Sequence, residues 1–246
     1  MKNTAQAYQR MLCTDLDGTF IGDDASMYEL LKLLEGKEIA LVFSTGRHLP
    51  SIRTFISQNA IRAPEAAILM VGTEIYFYEQ GEFVRDTNWS EIISRDWDRQ
   101  KIRELLADID ELVLQDEEWQ TPFKLSYYLK TEQSEVLAEI KRRIIQEKIK
   151  VRMVYSAGRF LDFLPLGSGK AKAVEYLAER FGLNREQVMV CGDSGNDLDV
   201  FEAGFKGIIV GNAHPELKSF TGNNAYHAKA SYAAGIIEGL RYFSFI

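Results

Sequence analysis

Two carboxylate pairs stand at intervals that suit one pocket. They are Asp15 and Asp17 in Asp15-Leu16-Asp17-Gly18-Thr19, and Asp193 and Asp197 in Gly192-Asp193-Ser194-Gly195-Asn196-Asp197. Both stretches follow short apolar runs, Met11 to Thr14 and Val188 to Cys191, that read as buried strands. Side chains alternate along a strand, so Asp15 and Asp17 can point the same way while Leu16 returns to the core. Carboxylates this close repel strongly in a low dielectric and need a cation between them or a proton on one. An all-oxygen ligand set suits Mg²⁺, and the glycines let the backbone approach a ligand closely. The plainer alternatives are a turn, since Asp-Gly is a common turn dipeptide, and an exposed acidic loop. Two acidic strand ends in one sheet favour the shared pocket.

Two further stretches could neutralise an anion. Phe43-Ser44-Thr45-Gly46-Arg47 ends a third apolar run and opens a helix, so the Thr45 hydroxyl and nearby amides can face a phosphate oxygen, with Gly46 and Arg47 beside it. Thr45 could equally be a plain helix N-cap. Gly167-Ser168-Gly169-Lys170 brings an ammonium to another helix start. It is not a Walker loop, because the GxxxxGK spacing is missing and Ala171 stands where a metal-binding hydroxyl is needed, which excludes a nucleoside triphosphatase of that type.

Positioning these residues requires a sheet whose strand ends meet. The runs Met11 to Thr14, Ile39 to Ser44, Ala67 to Val71, Val188 to Cys191 and Gly207 to Val210 alternate with helical patterns at Ala25 to Leu34, Leu49 to Asn59, Lys170 to Phe181 and Leu198 to Ala203. Such alternation predicts an α/β fold with a doubly wound parallel sheet. The middle of the chain breaks the rhythm. An amphipathic run from Ser94 to Leu112 leads to a strand at Phe123 to Lys130. A helix at Glu132 to Glu147 then leads to strands at Lys150 to Tyr155 and Arg159 to Leu164. Residues 82–165 are therefore expected to form an inserted α+β cap, and residues 1–81 and 166–246 the catalytic core. The aromatic tail from Tyr242 to Ile246 is expected to pack on that core.

The 246 residues carry a net charge of -7, with 46% hydrophobic and 26% charged residues, as in an ordinary globular protein. The negative balance argues against nucleic acid and anionic membranes as partners, and Lys141-Arg142-Arg143 reads as a solvated helix face. With no stretch of eighteen or more apolar residues and no leader-like opening, a cytoplasmic location is expected. Cys13 and Cys191 lie in apolar runs without metal-ligand spacing and read as buried thiols. His48, His214 and His227 read as structural or peripheral, and Trp89, Trp97 and Trp119 as packing residues of the cap or its interface.

Taken in order, DxDGT, a strand-end Thr, a Lys and GDxxND resemble the motifs of the haloacid dehalogenase superfamily, and the insertion resembles the cap of its Cof-like branch. That resemblance implies that Asp15 is the nucleophile and Asp17 the general acid and base, with Thr45 and Lys170 on the phosphoryl oxygens. It also implies Mg²⁺ held by Asp15, the Asp17 backbone carbonyl and Asp193, with Asp197 in support, and Asn196 on the substrate side. Within the superfamily, three cap and core segments resemble the sucrose-phosphate phosphatases: Pro122 to Tyr128, Ser156 to Pro165 and Val71 to Tyr76. Asn212 to Leu217 and the aromatic carboxyl end extend that likeness. They imply sugar contacts by Glu74, Lys124, Ser126, Arg159 and Asp162, against the alternative that Lys124 and Ser126 decorate an exposed sheet face.

The implied reaction is hydrolysis of sucrose 6-phosphate, with a sugar-phosphate synthase as a partner. Gly169 stands where that family often has Asn, and Arg159 where it has Lys, so phosphatases of mannosylfructose phosphate or glucosylglycerol phosphate are alternatives. A phosphomutase and a catalytically silent sugar-phosphate binding module are the others.

Overall fold

The computed structural model describes residues 8–130 and 134–246, and its apolar runs and amphipathic segments alternate as strand and helix. In chain order they are β1 (Arg10–Thr14), α1 (Asp24–Leu34), β2 (Ile39–Ser44), α2 (Leu49–Gln58), β3 (Ala66–Leu69), β4 (Glu74–Glu79), β5 (Glu82–Arg85), α3 (Thr87–Ile93) and α4 (Arg99–Leu105). Then follow β6 (Leu112–Leu114), β7 (Leu125–Leu129), α5 (Ser134–Gln146), β8 (Val151–Ser156), β9 (Phe160–Pro165), α6 (Lys170–Arg180) and β10 (Val188–Gly192). The chain closes with α7 (Leu198–Glu202), β11 (Lys206–Ile209), α8 (Pro215–Lys218), β12 (Ala225–His227) and α9 (Tyr232–Tyr242).

The large sheet has the order β12-β11-β10-β1-β2-β3-β4-β5. From β12 to β3 every pairing is parallel, whereas β4 and β5 add an antiparallel edge. Strands β2 and β10 are buried at every residue, which is why they read as unbroken apolar runs rather than alternating ones. From β1 the chain winds outward through β2 and β3, then returns to the other flank of β1 through β10 and β11. The strand order thus reverses at β1, and the crevice of an open α/β sheet opens at that point beyond the carboxyl ends of the strands.

A second, antiparallel sheet of order β6-β7-β9-β8 carries α4 and α5 and has its own core, in which Ile102, Leu125, Ile140, Leu161 and Phe163 have no exposed surface. Several boundaries differ from the sequence expectation. The run from Ser94 to Leu112 is not one helix. Asp96 adopts a positive φ of 62°, the Asp98 side chain caps a fresh helix at Lys101 N, and Leu112 already belongs to β6. The helix expected from Glu132 is seen from Ser134, and residues 132–133 lie outside the described residues. Strand β5 and α3, expected in the inserted unit, belong to the large sheet and its core, where Trp89 and Ile93 are buried. The chain therefore leaves the core beyond α3 rather than at Glu82.

The carboxyl end meets the core through Phe245, buried at 5% exposure, whose carbonyl accepts from the Arg10 guanidinium, while Tyr242 stays exposed and stacks on Tyr226. Among the described residues no helix is long and apolar enough to cross a membrane.

The turn after β3 carries most of the local backbone strain near the crevice. Met70 and the β-branched Val71 take φ values of 52° and 60°, where a strand to Val71 was expected. The amides of Met70 and Val71 donate to the carbonyls of Arg47 and Thr45, so this turn is tied to the segment after β2. Gly72 follows with a φ of 87°, and a Cβ there would overlap the Gly169 backbone and crowd the Lys170 amide. Gly72→Ala should therefore displace the start of α6 and cost about 3 kcal/mol, read from the urea midpoint at constant slope. A midpoint indistinguishable from that of the parent protein would overturn this account of the turn.

Candidate active site

Asp15 lies one residue beyond β1, with its amide donating to the Cys191 carbonyl of neighbouring β10, and is 4% exposed. Asp193 and Asp197 lie on the loop beyond β10. Asp15, Asp193 and Asp197 each offer a carboxylate oxygen, and these oxygens lie within 4.8 Å of one another. Lys170, the first residue of α6, is 1% exposed and donates to Asp15 Oδ1 at 2.7 Å and to Asp197 Oδ1 at 2.6 Å. Burial alone would discharge this lysine. The two carboxylates outweigh that effect and hold its pKa above the ordinary value, so it stays an ammonium.

One ammonium against three carboxylates leaves the cluster short of positive charge. Burial, reinforced by Asp197, pushes Asp193 up to about 7, and burial raises Asp15 well above the ordinary carboxylate range despite the opposing pull of Lys170. The cluster therefore fits a hard divalent cation: its donors are all oxygens and its unmet charge is negative. The three carboxylates do not share that task equally. Both oxygens of Asp197 are already engaged, Oδ1 by Lys170 and Oδ2 by the amides of Asp193 and Ser194 at 3.1 and 3.2 Å. Asp15 and Asp193 are thus the better ligands, and Asp197 braces the loop and the lysine.

The Asp17 carboxylate is not part of this cluster. It is 58% exposed and accepts two hydrogen bonds from Arg47, Nε to Oδ2 at 2.8 Å and Nη2 to Oδ1 at 2.5 Å. Thr45, 1% exposed, follows β2 with its amide bound to the Ile68 carbonyl, and its hydroxyl accepts from the Arg47 amide at 3.2 Å. It is not the N-cap of α2. That place belongs to His48, whose Nδ1 accepts from the Ser51 amide at 3.1 Å. The Thr45 to Arg47 turn is thereby left outside the helix and free to line the crevice.

Above these residues the small sheet closes a cavity of about 750 Å³, lined from the core by Asp15, Asp17, Thr45, Gly46, Arg47, Asp193 and Asn196. From the cap it is lined by Lys124, Arg159 and Asp162. Ser126 and Asp162 are register partners on β7 and β9, and the Ser126 hydroxyl donates to Asp162 Oδ1 at 2.6 Å. Lys124 Nζ sits 3.2 Å from the same oxygen. All three are buried, at 3% for Lys124, 0% for Ser126 and 5% for Asp162, so they do not decorate an exposed face. Arg159 lies over the rings of Tyr128 and Phe160.

The cap meets the core directly on the β10 side. Arg152 of β8 pairs with Asp199 at 3.3 Å, Gly158 N donates to Glu216, and a side chain at Gly195 would overlap the Tyr155 carbonyl.

Of the sequence-expected site residues, Ser126, Lys170 and Asp197 stand behind the lining as partners of Asp162 and Asp15, whereas Glu74 lies apart from the cavity. It sits on β4, pairs with Arg85 of β5 at 3.2 Å and accepts from the Tyr76 hydroxyl. The cavity also includes Gln115, Trp119, Tyr128, Ser156, Phe160 and His214, for which the sequence suggested no site role. Tyr128 and Phe160 could have been found, because residues 124, 126 and 128, and 160 and 162, share a face by strand alternation. Gln115, Trp119 and His214 carry no such signal, and only the folded chain brings them there.

The chain has counterparts among known proteins. The chain is 34% identical over 251 residues to probable sucrose-phosphatase 2 of Arabidopsis thaliana, covering 95% of this chain and 59% of that protein, so it spans about three fifths of that relative. It is 32% identical over 241 residues to the mannosylfructose-phosphate phosphatase of Agrobacterium fabrum, covering 95% of this chain and 96% of that one. The sucrose-phosphatase of Synechocystis sp., solved in complex with sucrose and phosphate, superposes with a TM-score of 0.91 at 31% identity, over 96% of this chain and 98% of that one. A phosphatase of the haloalkanoate (HAD) enzyme superfamily from Bacteroides thetaiotaomicron, 18% identical with a TM-score of 0.71 over 100% and 99% of the two chains, shares the fold. With its carboxylate and lysine cluster at the strand ends, its cap over the same crevice, and a match to the family model for sucrose-6F-phosphate phosphohydrolase across residues 8–244, the chain belongs to that family.

Proposed function

We propose that this protein is a Mg²⁺-dependent phosphatase of a sugar phosphate, with sucrose 6-phosphate as the first substrate to test. The observation that carries this reading is a single cavity with two chemically distinct ends. Its floor is Asp15 and Asp193, with Asp15 tied to the buried Lys170 and Asp197 behind the lining, and its roof is the buried Lys124 and Asp162, with Ser126 bonded to Asp162 behind them. The floor suits a phosphoryl group and the roof suits sugar hydroxyls, because each of its groups has donors or lone pairs to spare.

In this reading an Asp15 oxygen attacks phosphorus, the ester bond breaks, and the leaving alkoxide takes a proton from Asp17. Asp17 then removes a proton from water, the hydroxide attacks phosphorus, and Asp15 is released with inorganic phosphate. Lys170 and the Thr45 hydroxyl hold phosphoryl oxygens through both halves, and Asn196 faces the substrate. Mg²⁺ would be held by Asp15, Asp193 and the Asp17 backbone carbonyl with Asp197 behind them, and would supply the missing positive charge at the floor. Arg47, which pairs with Asp17, also lines the cavity and contacts the substrate in this reading, and Arg159 lines the sugar end. Residues 82–165 act mainly as the specificity cap, although their first strand and helix pack with the core. A synthase supplying the ester is the partner this reading carries, and the free, buried Cys13 and Cys191 suit a reducing, cytoplasmic setting. A second reading, hydrolysis of mannosylfructose phosphate, is favoured by the Agrobacterium fabrum relative, which matches along nearly its whole length.

Asp15→Asn should lower kcat by roughly a thousandfold or more while the protein stays folded. Appreciable turnover by the folded variant would remove Asp15 from the nucleophile's role. Asp193, raised to about 7 in the fold against an ordinary 3.8, binds a proton that the unfolded chain has lost. The cation-free protein therefore loses stability as pH rises from about 4 to about 7, and a cation taking the proton's place gains affinity over the same window. Millimolar Mg²⁺ should raise Tm more at pH 8 than at pH 6, and equal shifts would count against Asp193 as a ligand. Phosphate release should show the highest kcat/KM for one disaccharide phosphate in a panel of sucrose 6-phosphate, mannosylfructose phosphate, glucosylglycerol phosphate, fructose 6-phosphate and glucose 6-phosphate. Weak, even release across the panel would reject the cap as a disaccharide selector, and no release at all would point to the silent binding module.

A further inference from the structure

The three tryptophans have different places. Trp89 is buried in the large core and Trp97 packs against the cap core, but Trp119 belongs to neither hydrophobic cluster. It ends a single 3-10 turn, Glu117–Trp119, and lines the cavity. Its carbonyl accepts from Lys124 Nζ at 3.1 Å, which places the residue directly beside the buried polar set of the cap. Its ring lies 5.3 Å from the imidazole of His48, with the planes inclined at 36°.

His48 belongs to the core. Its Nδ1 is occupied as an acceptor from the Ser51 amide, so its Nε2 carries the proton and faces Glu118 at 3.7 Å. It also directly follows Arg47, which grips Asp17. The other contacts between cap and core described above reach the loop after β10, α7 and α8 on one flank of β1, whereas His48 follows β2 on the other. Trp119 and His48 thus join the cap to the second flank, and Trp119 gives the cavity an aromatic wall there. Sugar rings present apolar C–H faces that pack on aromatic side chains, and pockets of this kind combine such a wall with a few fixed polar groups.

We propose that Trp119, braced across the cap–core seam by His48, is a specificity-determining contact for the sugar ring distal to the phosphate. The proposal rests on the sugar-phosphate reading above and assigns Trp119 to that substrate's second ring. A monosaccharide phosphate does not reach this wall, whereas a disaccharide phosphate does.

The experiment compares kcat and KM for sucrose 6-phosphate and fructose 6-phosphate, which share the same ester and differ by one ring, in the parent protein, Trp119→Ala, Trp119→Phe and His48→Ala. The disaccharide-to-monosaccharide ratio of kcat/KM should fall roughly tenfold in Trp119→Ala, through KM rather than kcat. Trp119→Phe retains a ring and should keep most of the ratio, and His48→Ala, which removes the brace, should shift it in the same direction as Trp119→Ala. A parent protein with no preference for the disaccharide would sink the substrate reading and this assignment with it. A strong parental preference that survives in Trp119→Ala, or equal losses on both substrates in Trp119→Ala and Trp119→Phe, would overturn the assignment alone.

Discussion

The Lys170 ammonium, almost without exposed surface, holds Asp15 and Asp197 at hydrogen-bonding distance. Burying any of these charges alone would be prohibitive, so each depends on the others. This mutual dependence links segments 155 and 27 residues from Lys170 in the chain. It sets the end of β1 against the start of α6, and the loop after β10 against both. The tight approach of Gly72 to Gly169, the positive φ at Gly169 and the amides gathered on Asp197 all serve to place that one lysine. What the triad leaves unsatisfied is as informative as what it satisfies: an excess of negative charge in a buried oxygen cluster is relieved by a proton or by a hard cation.

The cap solves a different problem. Lys124, Ser126 and Asp162 lie on one face of a small antiparallel sheet, and burying them would be costly if they did not serve one another. Their arrangement holds polar groups in fixed directions above the floor, at a separation filled by the cavity. Because floor and roof stand on different sheets, in the proposed function the groups for phosphate can stay constant while the roof changes with the leaving group. That division also explains why core motifs are informative about the reaction and weakly informative about the sugar.

Much of the core was legible because its signals are local. A carboxylate one residue past an apolar run, or a lysine after glycines at a helix start, declares its place by chain position. The cap was harder. Asp96 and Asp98 break what periodicity alone presents as one helix, since a capping side chain restarts a helix wherever the backbone turns. Strand β5 looked like part of the insertion, yet it adds a final strand to the large sheet, a pairing set by register with β4 rather than by its own residues. Glu74, chosen as a sugar contact, found Arg85 across that same pairing instead.

By itself the sequence determined the alternating α/β core, the four strand-end and helix-start positions, and the order in which they arrive. Those follow from hydrophobic period and turn chemistry, which act over a few residues. Tertiary structure alone decided that Asp197 spends its oxygens on Lys170 and two amides, that Arg47 grips Asp17, and that Trp119 and His48 meet across the seam. Apart from the two local amides on Asp197, each of these is a contact between segments distant in the chain, and which partner a charged or aromatic side chain takes is settled by packing and desolvation in the assembled fold.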